Sequence, residues 1–194
     1  MNQKKQSLFK MILTLLVICS TTAFTLAFIN DITKLPKEKT RIKKQEEALR
    51  AVLPEFDNNP IAERFALPVD GTADSIEVFP ASKAGEPVGW ALTTFSDNGF
   101  SGRVVLMIGF YPDGTIYDIS VLSQKETPGL GTKMQEPRFL SQFKDKNPEL
   151  YKLSVKKDGG DVDAITASTI SSRAFCEAAQ NAFLQFKTVK NNSK

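Results

Sequence analysis

The sequence predicts an α+β chain: a single N-terminal transmembrane helix followed by one domain with a mainly antiparallel sheet and packed helices. Three observations predict it. Met11 to Ile29 (MILTLLVICSTTAFTLAFI) runs nineteen residues without a charge, and at about 1.5 Å per residue such a helix spans roughly 30 Å, the hydrocarbon thickness of a bilayer. Between Ser75 and Leu122, short apolar or alternating runs are separated by turn sequences, as in consecutive strands. From Arg173 to Phe186, the residues Phe175, Ala179, Ala182, Phe183 and Phe186 recur at helical spacing. With 194 residues, 41% hydrophobic and 24% charged, the composition is globular and the length allows one domain plus an appendage.

Charge and composition exclude several functions. Lys4, Lys5 and Lys10 are the only charged side chains before Asn30, so the remainder balances basic against acidic groups within an overall +3. A polyanion meets no electrostatic excess on the globular part, and no nucleic-acid partner is expected. The chain has no histidine, which removes Ser-His-Asp and Cys-His catalysis, His-ligated haem and most zinc sites. Cys19 and Cys176 stand far apart, too few and too distant for a metal or disulfide framework. No catalytic residue and no metal ligand is expected.

The N-terminal run reads as an uncleaved anchor. A cleaved signal needs a shorter apolar core and a small-x-small site, and Ala23 to Phe28 offers none before more apolar residues. Cys19 follows Ile18, too bulky for a lipoprotein signal. A helix apolar on every face is a poor surface helix of a soluble domain. Orientation stays open on composition: Lys4, Lys5 and Lys10 flank one end, and Lys34, Lys37, Lys39, Arg41, Lys43 and Lys44 flank the other.

Glu38 to Leu53 (EKTRIKKQEEALRAVL) is rich in helix formers, with Ile42, Leu49, Val52 and Leu53 as a partial apolar stripe, and predicts a helix ending before Pro54. Asp57 to Asp74, with Pro60, Pro68 and Gly71, reads as irregular. Ser75 to Phe79 and Val88 to Phe95 read as strands, and Arg103 to Tyr111 as a central one because it is almost continuously apolar. Pro112-Asp113-Gly114-Thr115 is a tight turn, and Ile116 to Leu122 pairs back as a hairpin. Trp90, Phe95 and Phe110 read as core. Pro137 to Phe143 reads as a short helix, Leu153 to Val155 as a strand, and Cys176 as a buried helix residue.

Two segments stand out as candidates for chemistry. Glu126-Thr127-Pro128-Gly129-Leu130-Gly131 holds a proline and two glycines in six residues and must be a shaped loop; Lys125, Glu126 and Lys133 beside it read as solvated charges. Thr166, Ser168, Thr169, Ser171 and Ser172 crowd the start of the last helix. Such hydroxyls cap free N–H groups. A helix start of small residues also suits a phosphate, because its N–H groups and dipole favour an anion. Neither a P-loop nor a Rossmann fingerprint is present.

At these residues the chain resembles a known family. Asp163 to Thr169 resembles the flavinylation motif of FMN-binding domains, Asp-x-x-(Ser/Thr)-Gly-Ala-Thr, with Ala167-Ser168 in place of Gly-Ala. The 126–131 loop resembles the second hallmark of that family. With the short N-terminal span and the helix containing Glu47-Ala48-Leu49-Arg50-Ala51-Val52-Leu53-Pro54, the order of features is similar to that of the G subunit of the Rnf (Rsx) ion-translocating electron transport complex. The resemblance implies one FMN per chain, joined through a phosphodiester to Thr169, with Asp163 and Thr166 in matching motif positions and Ser168 as a competing hydroxyl. It implies that N–H groups from Ser168 to Ile170 solvate the phosphate and that Thr127, Gly129 and Leu130 border the ring, Leu130 packing on it.

An unassisted threonine hydroxyl is a poor nucleophile, and no histidine is present to activate it. The resemblance accordingly implies a separate Mg-dependent flavin transferase that uses FAD and works outside the cytoplasmic membrane. It implies a cytoplasmic tail at 1–10, a transmembrane anchor at 11–30, a juxtamembrane helix at 31–54 and a periplasmic FMN-binding domain at 55–194, held on the bacterial inner membrane. The partners implied are membrane lipid, the transferase and the other subunits of the complex. The function implied is electron relay between ferredoxin and NAD without independent catalytic activity. The alternatives are the C subunit of the Na⁺-translocating NADH:quinone reductase and a periplasmic scaffold with an unmodified Thr169.

Overall fold

Helix α1 runs from Asn2 to Val52 in the computed structural model, which describes residues 2–68 and 74–192. It takes in both helices expected from the sequence as one element. The chain divides into two units, Met1–Lys44 and Gln45–Lys194. In the first, Phe9–Lys34 is a helix of 26 residues long and apolar enough to cross a membrane, about 39 Å at helical rise. Its threonines bond back along the helix: Thr14 Oγ1 donates to the Lys10 carbonyl (2.8 Å), Thr21 to Val17 (2.7 Å) and Thr25 to Thr21 (2.8 Å).

In the second unit the expected alternation of strands and turns gives β1 (Phe65–Pro68), β2 (Ser75–Lys83), β3 (Glu86–Ser96), β4 (Val104–Phe110) and β5 (Ile116–Ser123). Among the described residues they form one antiparallel sheet in the order β1-β2-β3-β4-β5. The pleat sends successive side chains to opposite faces. On β2, Ile76 and Val78 join one core cluster while Phe79 and Ala81 join the other. The β4–β5 hairpin carries an irregularity at Gly109/Phe110, with Phe110 opposite Ile116 and Gly109 opposite Asp118. The extra residue, Tyr117, lets Ile116 and Ile119 both reach the core although they are three apart.

Helix α3, Thr169–Asn192, covers one face. Phe175, Ala179, Ala182, Phe183 and Phe186, the stripe read from the sequence, are all buried there, and Phe186 stacks on Phe110 at 4.9 Å between ring centroids. The other face is covered by the last turns of α1: Ala48, Leu49, Val52 and Leu53 pack on Phe79, Ala81, Ala91 and Met107. Gly109 of β4 makes this approach feasible, because a Cβ there would collide with the Val52 carbonyl. Being covered on both faces is why β4 reads as continuously apolar.

Several expectations are corrected. The stretch read as irregular contains β1, an edge strand paired with β2; its Gly71 lies outside the described residues. The strand expected at Leu153 to Val155 is reduced to an isolated parallel bridge, Val155 to Val162. The helix expected at Pro137 to Phe143 is a single turn, α2 (Pro137–Leu140). Helix α3 starts four residues earlier than Arg173, at the hydroxyl-rich segment itself. Phe95 is only half-buried, under the Arg103 guanidinium at 4.2 Å from the ring centroid. Ile42 is exposed, so the stripe on α1 begins later.

Cys176 is buried as expected. Burial, and secondarily Asp158, pushes its thiol up to about 12 from an ordinary 9.0. The sign follows from the raised value: the neutral thiol's contribution to stability is whole below the ordinary value and is lost as pH rises past it. Iodoacetamide at mildly alkaline pH is therefore expected to spare Cys176 in the folded domain and to alkylate it on unfolding, as read by peptide mass.

Candidate functional site

The two candidate segments, 45 residues apart at the Glu126–Ser171 pair, meet in space. The start of α3 is shaped by hydrogen bonds that leave donors over. The Ser168 N–H donates to the Ile165 carbonyl (2.9 Å), and the Ser168 carbonyl accepts the Ser172 N–H (3.0 Å). Ser172 Oγ donates to that same carbonyl at 2.9 Å and accepts the Ile165 N–H at 2.9 Å. Ser172 thus closes the segment before the helix onto its first turn and caps none of the first-turn N–H groups. Among the described residues, the N–H groups of Thr169, Ile170 and Ser171 have no acceptor, as is usual for first-turn donors that nothing caps. They differ from the expected Ser168-to-Ile170 set by one residue, because Ser168 N–H is already used.

Ala167, just before this turn, takes φ +59°. A left-handed backbone suits glycine and strains a residue with a Cβ. This is the position where the resembled motif has glycine, which supplies a backbone reason for that glycine. Ala167→Gly is expected to raise stability by about 1 kcal/mol, the relief of strain outweighing the added freedom of the unfolded chain. Urea unfolding followed by circular dichroism would measure it.

The 126–131 loop is built to turn back on itself. Gly129 has φ +74°, and its N–H donates to Thr132 Oγ1 at 3.0 Å. A 3-10 turn, Gly131–Gln135, follows. Between this loop, the start of α3 and the Gly99–Gly102 turn lies a cavity of about 350 Å³, within the range of small-ligand sites. Thr169, Ser168, Ile170, Thr127 and Leu130, all expected at the site, line it. Thr166 and Gly129 do not: both are exposed to solvent, and Gly129 supplies the left-handed residue of the loop's turn. Asp163 points elsewhere and pairs with Lys156 at 2.8 Å.

Sequence reasoning missed part of the lining: Phe100 and Gly131, with Ala167 and Ser171 contributing directly. Phe100 had a signal, an aromatic inside the turn sequence Asn98-Gly99-Phe100-Ser101-Gly102 where no core needs it. Phe100, Leu130 and Ile170 are 67%, 40% and 49% exposed, and all three converge on this cavity. Exposed apolar side chains gathered at one mouth suit a flat aromatic ligand. Glu126 is the largest correction. Read as a solvated charge, it is 5% exposed in the cavity floor, where Ser171 Oγ donates to its Oε2 at 2.8 Å and the Ser101 N–H to its Oε1 at 3.3 Å. Lys125 and Lys133 are exposed as expected.

The residues present fit a flavin mononucleotide: free N–H donors at a positive helix end for a phosphate, a hydroxyl beside them, and an apolar mouth for a ring. Comparison with known proteins agrees. The FMN-binding domain family matches residues 99–183, a span that begins at the Gly99 turn and contains every residue lining the cavity. The G subunit of the ion-translocating oxidoreductase complex of Erwinia tasmaniensis is 33% identical over 185 residues, 91% of this chain and 88% of that one. The protein of the same name from Stutzerimonas stutzeri is 32% identical over 189 residues, 94% and 82% of the two chains. The crystal structure of Shewanella oneidensis NqrC matches 70% of each chain at 22% identity, with a TM-score of 0.46.

Proposed function

The chain belongs to the family of G subunits of ion-translocating oxidoreductase complexes, and from that premise we propose that it relays electrons through FMN held by a phosphodiester on Thr169. The observation that carries the reading is the meeting of two motifs in one cavity. Thr169 lines it together with Thr127 and Leu130, at a helix start whose N–H groups are free to receive a phosphate. FMN supplies the redox chemistry when bound. This chain's own residues do the rest. The N–H groups of Thr169, Ile170 and Ser171 would hydrogen-bond the phosphate; Thr127 and Leu130 would border the ring, with Phe100 and Ile170 lining the same cavity.

In attachment Thr169 would supply the hydroxyl oxygen that replaces AMP on the FMN phosphorus of FAD, its proton going to a base of the attaching enzyme. With no histidine in the chain, the base and the metal belong to a separate flavin transferase. The apolar Phe9–Lys34 helix supports a single-pass anchor; the same reading puts it in the bacterial inner membrane, with residues 1–10 cytoplasmic, 11–30 in the bilayer, 31–54 a juxtamembrane helix and 55–194 periplasmic. The complex it serves passes electrons between ferredoxin and NAD, coupled to ion movement. The test is to co-express the full chain with a flavin transferase, then look for ultraviolet fluorescence in a denaturing gel and a mass increase of one FMN less one water. A dark band of unmodified mass overturns the reading and leaves a scaffold.

A further inference from the structure

We propose that Glu126 is a positioning residue of this site, the part that aims the first turn of α3 at the incoming nucleotide; the inference rests on the reading of Thr169 as the attachment point. The geometry is a latch across three segments distant in sequence. Glu126 Oε2 accepts from Ser171 Oγ at 2.8 Å, and Oε1 accepts the Ser101 N–H at 3.3 Å. Its own N–H donates to Gln124 Oε1 at 2.6 Å, which fixes the backbone from which the side chain projects.

Two glycines make room for the carboxyl group. A Cβ on Gly131 would lie 2.7 Å from Glu126 Oε2 and 2.7 Å from Ser171 Oγ, and one on Gly99 would lie 2.7 Å from Glu126 Oε1. These contacts are closer than packed carbon tolerates, so the slot exists only because both residues lack a side chain. Ser171, held by its hydroxyl, is also one of the three residues whose N–H has no acceptor among the described residues, and it lines the cavity. Fixing its side chain fixes the donor's direction, and with it the turn that carries Thr169. The two donors come from different segments, so the carboxyl group ties its own loop both to the Gly99–Gly102 turn and to the start of α3. Satisfying both in a buried position makes the loop and the helix start move as one body.

The experiment follows attachment rates on the full chain in detergent, with FAD, Mg²⁺ and flavin transferase, for wild type, Ser171→Ala, Glu126→Gln and Glu126→Met. Glutamine keeps an acceptor for the Ser101 N–H and a donor for Ser171 Oγ. Methionine keeps the bulk and loses both. The expected result is that E126Q attaches flavin within a few-fold of wild type. E126M and S171A are expected to fall by about a hundredfold in turnover, the cost of displacing a reacting group by roughly an ångström, with the KM for the acceptor chain little changed. If E126M fails to fold, S171A, which removes one hydroxyl, decides alone. Wild-type turnover in S171A, or loss in E126Q equal to that in E126M, overturns the role of Glu126. A wild-type chain that accepts no flavin overturns instead the reading of Thr169.

Discussion

Thr169→Ala is expected to abolish covalent flavin entirely: no fluorescent band, no mass increase, and no transfer of the adduct to a neighbouring hydroxyl. The neighbours are unsuited for reasons visible in the fold. Ser168 is 8% exposed, so its hydroxyl is screened from a large donor docked outside. Ser171 Oγ is committed to Glu126 at 2.8 Å, and Ser172 Oγ to the Ser168 carbonyl at 2.9 Å. Thr166 is exposed but lies outside the cavity lining, on the far side of the left-handed residue Ala167. Thr169 is partly exposed and belongs to the helix turn whose N–H donors have no acceptor among the described residues. The fold is expected to survive, because a half-buried threonine that makes no hydrogen bond to a buried group costs about 0.5 kcal/mol when truncated. Unchanged circular dichroism and unfolding midpoint would separate loss of the attachment point from loss of structure. A fluorescent band retained by the variant would move the site to another residue, and a digest of the labelled peptide would say which.

What the sequence disclosed and what it hid divide along a physical line. The stripe on α3, the continuous apolarity of β4 and the hairpin at Pro112-Asp113-Gly114-Thr115 are local patterns, readable because burial on a regular element imposes a period. The two candidate loops were legible from composition alone: proline and glycine in one, hydroxyls in the other. Three features were not, and each depends on a partner distant in the chain. β1 is four residues long and exposed along much of its length, so it lacks the alternation that marks a half-buried strand and exists by pairing with β2. Glu126 is buried because Gly99 and Gly131 leave a slot on either side of it, and neither glycine announces what it makes room for. Ala167 takes a backbone conformation that its own side chain disfavours, set by the closure from Ile165 to Ser172. Local propensity cannot report a conformation imposed against it.

The same distinction governs the largest expected effect on stability, at the far face of the sheet. A chain beginning at Arg41 is expected to fold as a soluble domain, whereas one beginning at Glu55 is expected to aggregate or remain unfolded. The difference is the last turns of α1, where Leu49, Val52 and Leu53 are 2%, 0% and 2% exposed against Phe79, Ala81, Ala91 and Met107. Burying each such side chain contributes about 1.5–3 kcal/mol, roughly 5–9 kcal/mol for the set, and a whole domain has only about 5–15 kcal/mol to spare. Removing the helix also leaves one face of the sheet bare, with apolar side chains directed into water. Two point changes test the contact without truncation. Leu49→Ala is expected to cost about 2–5 kcal/mol, the usual range for a cavity in a packed core. Gly109→Ala places a Cβ against the Val52 carbonyl, a backbone group with nowhere to retreat while its helix stays docked. Thermal unfolding of the Arg41-start chain gives the reference for both. If the Glu55-start chain melts at the same temperature as the longer one, the docked turns contribute nothing and the sheet is sufficient alone. If Gly109→Ala leaves the midpoint of the Arg41-start chain unchanged, the close approach of the Val52 carbonyl to Gly109 is not what holds the helix on the sheet.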